Sequence, residues 1–197
     1  MVEIVEQLTS INYMKKVVIM FVSLSVIGPV FSLIGVPNLI KQIIVLVILI
    51  FDFMWGNKSL DPFQETTIAT LVLMIFQTIT VFFSFATKAM SNIYLNSVLS
   101  CISTVCAFTF IILHYSLCTE SAKIINQSNS SLADFIDKLY RAWIVYLIVS
   151  HILILIFPNI KPLVIVLKSI FLLYIYLNIL IGYKQTRENL KKLLISN

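Results

Sequence analysis

Long runs without a charged side chain constrain this chain more than any other feature of its sequence. Residues 17–40, 66–87 and 89–119 contain no Asp, Glu, Lys or Arg, and most of their side chains are apolar. Over the 197 residues, 59% are apolar and only 12% are charged, and the mean hydropathy is +0.99. Soluble domains carry about 45–50% apolar and about 25% charged residues. The composition therefore predicts an integral membrane protein and excludes nucleic-acid-binding proteins, secreted disulfide scaffolds and cytosolic enzymes.

The apolar runs are long enough to cross a bilayer several times. A spanning α-helix needs about 20 residues, so six spans would use about 120 residues, close to the whole apolar content of the chain. We therefore expect an all-α fold, a polytopic transmembrane helical bundle of about six spans that forms one integral-membrane domain over residues 1–197. The expected spans are 17–36, 39–55, 66–85, 92–117, 142–157 and 163–183.

Residues 119–141, between the fourth and fifth expected spans, are too polar to cross a membrane. Within them, apolar side chains recur at helical spacing beside charged ones: Leu132, Phe135, Ile136 and Leu139 beside Asp134, Asp137, Lys138 and Arg141. This pattern is typical of an amphipathic helix that lies in the membrane interface. The sequence therefore predicts one interfacial helix at 132–139.

Few ionisable side chains occur within or at the ends of the apolar runs. Asp52, His114 and His151 are the principal ones, and no ligand spacing links any two of them. Charges in hydrocarbon are costly and persist mainly where they function or pair. We expect Asp52 to be an interfacial carboxylate and His151 a hydrogen-bonding packing residue, so no catalytic residue is predicted.

Metal and cofactor sites are also not predicted. Asp134 and Asp137 are three residues apart and could hold a divalent cation, but Lys138 and Arg141 can pair with them across a helical turn. The three cysteines lack the spacing of a zinc site or of a disulfide framework. With only four glycines, the chain has no phosphate-cradling loop.

The distribution of basic residues predicts the orientation of the bundle. Cytoplasmic loops carry an excess of Lys and Arg. If both termini are cytoplasmic, ten of the 14 basic residues lie on the cytoplasmic side: Lys15, Lys16, Lys58, Lys123, Lys138, Arg141, Lys184, Arg187, Lys191 and Lys192. The opposite side then holds Lys41, Lys88, Lys161 and Lys168. In this arrangement the glycosylation sequons at Asn57, Asn126 and Asn129 face the cytosol and stay unmodified.

Several short segments occur in a defined order along the chain. Phe51 and Asp52 end a span, a polar loop and an uncharged span follow, and residues 87–94 then read Thr-Lys-Ala-Met-Ser-Asn-Ile-Tyr. Phe157 with Pro158, and the tail 183–190, come later. In this order the segments resemble the PIG-C family, a multi-spanning subunit of the endoplasmic reticulum complex that transfers N-acetylglucosamine to phosphatidylinositol. The family's Trp-, Gln- and Pro-rich N-terminal motif is absent.

The resemblance implies a non-catalytic subunit that acts in the first step of GPI-anchor synthesis, in the endoplasmic reticulum membrane. A partner glycosyltransferase subunit would carry the chemistry, and the chain itself would need no cofactor. The resemblance also implies a binding or assembly role for Asp52, Thr87, Lys88, Ser91, Asn92 and Tyr94.

Two other functions stay open at this point. Residues 143–146 and 168–173, together with Phe157 and Pro158, look like parts of the REEP family of membrane-shaping proteins of the endoplasmic reticulum. Alternatively, the Thr- and Ser-rich third and fourth spans could line the path of a small transporter or channel.

The charge asymmetry makes a first testable prediction about both chain termini. Tags placed before Met1 and after Asn197 should be cleaved by protease added to sealed microsomes, because both termini are expected in the cytosol. Immunoblotting of the tags, with a lumenal marker as the control, measures this. A protected C-terminal tag, or glycosylation at Asn126, would contradict the orientation.

Overall fold

The structure, a computed structural model, describes residues 2–56, 61–89 and 93–196, and these parts are almost entirely helical. A single 3₁₀ turn, Pro158–Ile160, precedes the last helix, and no strand occurs in the described parts. The helices are α1 Val2–Leu33, α2 Asn38–Gly56, α3 Asp61–Ala89, α4 Ile93–Asn126, α5 Ser130–Ile156 and α6 Lys161–Ser196. The expected all-helical fold is therefore confirmed.

Local sequence explains where two of these helices end or begin. Gly35 has a φ of 75°, and the Val36 N–H donates to the Phe31 carbonyl at 2.9 Å. This is a Schellman cap, which glycine favours because it adopts positive φ without strain, and Pro37 then prevents the helix from continuing. At the start of α5, the Asn129 side chain accepts a hydrogen bond from the backbone N–H of Leu132 at 3.0 Å.

Each helix packs against the next one in the chain, and α6 returns to pack against α1 and α4. Contacts between α4 and α6 pair His114 with Tyr176 and Ser121 with Tyr183, so these two helices run parallel. The helix between them, α5, runs the opposite way. The end of the bundle at which α1 begins and α6 finishes is called the terminal end below, and the opposite end, at which α1, α3 and α5 finish, is called the turn end.

Buried residues follow a seven-residue repeat on four of the helices. On α5 the buried positions alternate in steps of three and four, and α1 shows the same alternation from Ile11 to Ser25. This spacing keeps one stripe of each helix facing its neighbours when helices pack at about +20° with a left-handed twist. The α5 stripe consists of Ala133, Ile136, Tyr140, Trp143, Leu147 and Ser150.

The outward faces of the helices are apolar, which water would not tolerate. On α6 an exposed stripe of large apolar side chains runs the length of the helix, and comparable side chains are exposed on α2, α3 and α4. Three helical stretches are long and apolar enough to cross a bilayer: Ile4–Phe31, Ser97–Asn126 and Lys161–Ile195. The chain is therefore an integral membrane protein by the length and surface of its helices.

Residues 132–139, expected as a separate interfacial helix, form the first turns of α5 and continue into the apolar part of that helix without a break. Ile136 is fully buried against the bundle, whereas Phe135 is 41% exposed and contacts the Tyr174 ring edge-on. No proline or glycine separates the segment from the apolar run that follows, so nothing ends the helix near Arg141. The segment is amphipathic, as expected, but its charged face belongs to a longer helix.

Gly182 allows α6 to approach α4 closely. A methyl group built on Gly182 would lie 2.5 Å from Cδ1 and 2.7 Å from Cγ1 of Ile125, which is fully buried. Small residues at such positions are common where membrane helices pack closely. A larger residue at 182 would have to push the two helices apart.

Gly182→Ala should therefore lower the free energy of unfolding. Overpacking costs roughly 1–3 kcal/mol, and the higher helix propensity of alanine offsets about 1 kcal/mol of that cost. Thermal unfolding of the purified protein in detergent measures the loss. Ile125→Val removes the closest carbon atom, so the double variant should lose less than the two single variants together. Additive losses would show that the contact does not limit the approach of the helices.

Candidate functional site

A series of polar contacts joins α4 and the turn that follows it to α6. The Tyr176 hydroxyl hydrogen-bonds Nδ1 of His114. Seven residues further along both helices, the Tyr183 hydroxyl donates to Oγ of Ser121 at 2.7 Å. At the terminal end the hydroxyls of Ser128 and Thr186 are 2.6 Å apart, and Nδ2 of Asn129 donates to Oε1 of Gln185 at 3.0 Å. These four contacts are called the polar ladder below.

The innermost contact of the ladder is enclosed by an aromatic side chain from α1. The Phe21 ring meets the His114 ring edge-on, with centroids 4.7 Å apart, and stacks on the Tyr176 ring at 5.9 Å. All three residues are buried. Three helices therefore meet at one polar contact that is closed to solvent.

Aromatic hydroxyls also tie α5 to its neighbours. The Tyr140 hydroxyl donates to the Ile111 carbonyl of α4 at 3.0 Å, and the Tyr146 hydroxyl donates to the Val164 carbonyl of α6 at 3.2 Å. Because these two carbonyls lie in helices, each accepts a second hydrogen bond with its remaining lone pair. The contacts fix α5 against both α4 and α6.

The ladder consists of hydroxyl, amide and imidazole groups, and no described carboxylate takes part in it. Such groups hold helices in register, because an unpaired polar group in an apolar interior costs about 1–3 kcal/mol. Three other buried polar atoms have no hydrogen-bond partner among the described residues: Ser10 Oγ, Thr119 Oγ1 and Trp143 Nε1. The arrangement is suited to helix packing more than to proton transfer.

The residues singled out by the resemblance are not brought together in the described parts of the chain. Tyr94 is 88% exposed at the start of α4. Asp52 lies near the end of α2, whereas Thr87 and Lys88 lie near the end of α3, at the opposite end of the bundle. The side chains of these three, and all of Ser91 and Asn92, lie outside the described residues, so their assembly role stays a prediction.

One of the two carboxylates of α5 forms the ion pair that its spacing predicts. Asp137 forms an ion pair with Arg141 at 2.8 Å, one helical turn away. Asp134 is exposed and lines an open groove of about 440 Å³ with Ser130, Ser131, Phe135 and Lys138. Among the described residues, no three His, Cys, Asp or Glu side chains are grouped as a metal site.

The two other residue types considered from the sequence have simple surroundings. All three cysteines are free thiols, with Cys106 and Cys118 buried and Cys101 exposed. The side chain of His151 lies outside the described residues.

The polar ladder is the feature that the sequence analysis missed. Its partners are 56 to 62 residues apart, so neither helix alone indicates the contact. A signal was present, because His114 and Ser121 in α4 and Ser128 in the turn after it recur every seven residues, and Tyr176 and Tyr183 share that spacing in α6. No family model, curated protein or solved structure matches this chain, so its function is argued from these residues.

Tyr176→Phe tests whether the innermost contact stabilises the bundle. Removing the hydroxyl takes a hydrogen bond from a buried ring nitrogen, which should lower the free energy of unfolding by about 1–3 kcal/mol. Tyr174→Phe is the matched control, because Tyr174 is on the same helix with its ring 48% exposed, and its change should stay within about 0.5 kcal/mol. Thermal or denaturant unfolding in detergent distinguishes them, and equal losses would contradict the role of the His114 contact.

Proposed function

We propose that this chain is a six-span membrane subunit that supports a partner's chemistry by helix packing. We further propose that the partner is the glycosyltransferase of the endoplasmic reticulum complex that transfers N-acetylglucosamine to phosphatidylinositol. The polar ladder supports the packing role. The resemblance of residues 87–94 to the PIG-C family supports the identity of the partner.

The packing role rests on how the chain uses its buried polar side chains. His114, Ser121, Tyr176 and Tyr183 are all buried, and hydrogen bonds across α4 and α6 join His114 to Tyr176 and Ser121 to Tyr183. A polar side chain that hydrogen-bonds to a neighbouring helix does not offer that hydrogen bond to a substrate. This is the observation that favours a subunit whose interior is built for assembly.

The six-span arrangement is supported by the alternating directions of the helices and by their lengths. A helix of 34 residues such as α4 is about 50 Å long at 1.5 Å per residue, whereas the hydrocarbon core is about 30 Å thick. In the proposed arrangement α1, α4, α5 and α6 therefore extend beyond the membrane at the terminal end. Lys15, Glu120, Arg141 and Lys184 mark that boundary, and residues 132–139 stand just outside it on the cytoplasmic side.

The exposed apolar stripes leave room for a partner as well as for lipid. Large side chains are exposed on α2 and α3, the two helices with the fewest fully buried described residues. Membrane helices associate through packing and interhelical hydrogen bonds, and the Thr residues of α3 suit both. We therefore propose that α2 and α3 face the transferase subunit.

Copurification from mild detergent tests the partner directly. The tagged chain should recover the N-acetylglucosamine transferase subunit from its own membranes, and Val72→Trp on the exposed face of α3 should reduce this recovery. Val145→Trp, a similarly exposed position on α5, is the matched control. If the wild-type chain never recovers a glycosyltransferase, the proposal is wrong. Tubulation of liposomes or solute flux by the purified chain would instead favour the membrane-shaping or transport functions.

Activity of the assembled complex tests whether the chain acts without catalytic residues. Asp52→Asn, His151→Ala and the double change Asp134→Asn with Asp137→Asn should each leave N-acetylglucosamine transfer within about tenfold at equal complex levels. Removing a general base typically costs about 10²–10⁴ in rate. Abolished turnover in any one of these variants, with the complex intact, would contradict a non-catalytic role.

A further inference from the structure

The charges of this chain are divided unequally between the two ends of the bundle. All nine carboxylates belong to the terminal half: those of α1, α3 and α5 are near the helix starts, and those of α2, α4 and α6 are near the helix ends. They are Glu3, Glu6, Asp52, Asp61, Glu65, Glu120, Asp134, Asp137 and Glu188. The turn end carries lysines and no carboxylate in the sequence.

Four lysines occupy the helical segments at the turn end. Lys41 is in the first turn of α2, Lys88 is in the last turn of α3, and Lys161 begins α6. Lys168 lies seven residues further along α6, about 10 Å deeper at 1.5 Å per residue. Asp52 is the carboxylate closest to this end along α2, and it is 14 residues from the start of that helix, about 21 Å away.

Lys168 faces the interior of the bundle instead of the surrounding lipid. It follows buried Val164 by one helical turn and precedes fully buried Ile175 by two turns, so all three share one face of α6. Its side chain is half-buried. Lys168 therefore lies on the face of α6 that packs against the bundle, about 10 Å from the start of the helix.

A cation at this depth needs a negative partner, because an uncompensated charge in hydrocarbon is costly. No carboxylate of the chain is on this half, and no described residue forms an ion pair with Lys168. A lysine side chain reaches toward the headgroup region, where lipid phosphates are the available anions. Basic pockets between membrane helices bind anionic headgroups in this way.

We propose that Lys168, together with Lys161 on the same face of α6, binds the phosphate of an anionic phospholipid in the leaflet at the turn end. The lipid would sit beside α6 with its phosphate toward the two ammonium groups and its acyl chains along the exposed stripe that includes Leu163 and Leu167. This inference rests on the proposed membrane placement. It does not depend on the glycosyltransferase partner.

The test uses the purified chain in detergent, without any partner. Phosphatidylglycerol should raise the thermal unfolding temperature of the wild type more than phosphatidylcholine does, and native mass spectrometry should show retained phosphatidylglycerol. Lys168→Gln should bind phosphatidylglycerol roughly fivefold more weakly, since a lysine at an anionic surface contributes about 1 kcal/mol, and Lys168→Arg should restore binding. Lys192→Gln, exposed at the terminal end, is the control and should bind like the wild type.

Three results would overturn the proposal. Equal stabilisation by phosphatidylcholine would show that the charge of the headgroup is not recognised. Unchanged phosphatidylglycerol binding in both Lys168→Gln and the double variant with Lys161→Gln would place any bound lipid elsewhere. Equal protection of the wild type by inorganic phosphate would show a site for a free anion. Failure of the chain to recover a glycosyltransferase would leave all of these measurements unchanged.

Discussion

Pairing of polar groups inside an apolar bundle is the constraint on which the rest of this structure depends. In a closely packed interior no water reaches a hydroxyl or an imidazole, so a buried polar group needs a protein partner to avoid the free-energy cost of burial. The contacts of Tyr176 with His114 and of Tyr183 with Ser121 meet this need only if α4 and α6 are parallel and in one register. A shift of either helix by one turn would leave both pairs broken.

The same two contacts determine where the remaining helices can lie. Phe21 of α1 covers the pair of His114 and Tyr176, and the tyrosines of α5 reach carbonyls on both α4 and α6. These four helices share the seven-residue repeat of buried residues, whereas described residues of α2 contribute nothing fully buried. Most of the described buried side chains therefore belong to α1, α4, α5 and α6, and few belong to the pair α2 and α3. Surfaces available for assembly are expected on that pair.

The sequence predicts the helix type well because it follows from composition and length. Uncharged apolar runs have few alternatives to spanning helices, and α1 to α6 each contain one of the six expected spans. The helices extend beyond the expected spans, because lysine and arginine, as at Lys15 and Arg141, are good helix formers and do not end a helix. The ion pair of Asp137 with Arg141 followed from its spacing, since such contacts are local.

The polar ladder could not be predicted in the same way, because it depends on which helices become neighbours. A repeat of polar residues in α4 indicates a polar face, but only the packing of α6 against it identifies Tyr176 and Tyr183 as the partners. A binding site proposed from one short segment, such as 87–94, is still harder to predict from the sequence. Their residues are adjacent in sequence, whereas a binding site is formed by residues from several helices.

The distribution of charges affects two properties of a membrane protein: its orientation during insertion and the electrostatic potential at each surface. Orientation during insertion follows the count of Lys and Arg, to which carboxylates contribute little, and that count favours the terminal end by ten to four. After insertion, the field at each surface depends on net charge. At the terminal end ten cations face nine carboxylates, while at the turn end four lysines face none. The surface with fewer basic residues is therefore the more positive one, and anionic lipid should gather there.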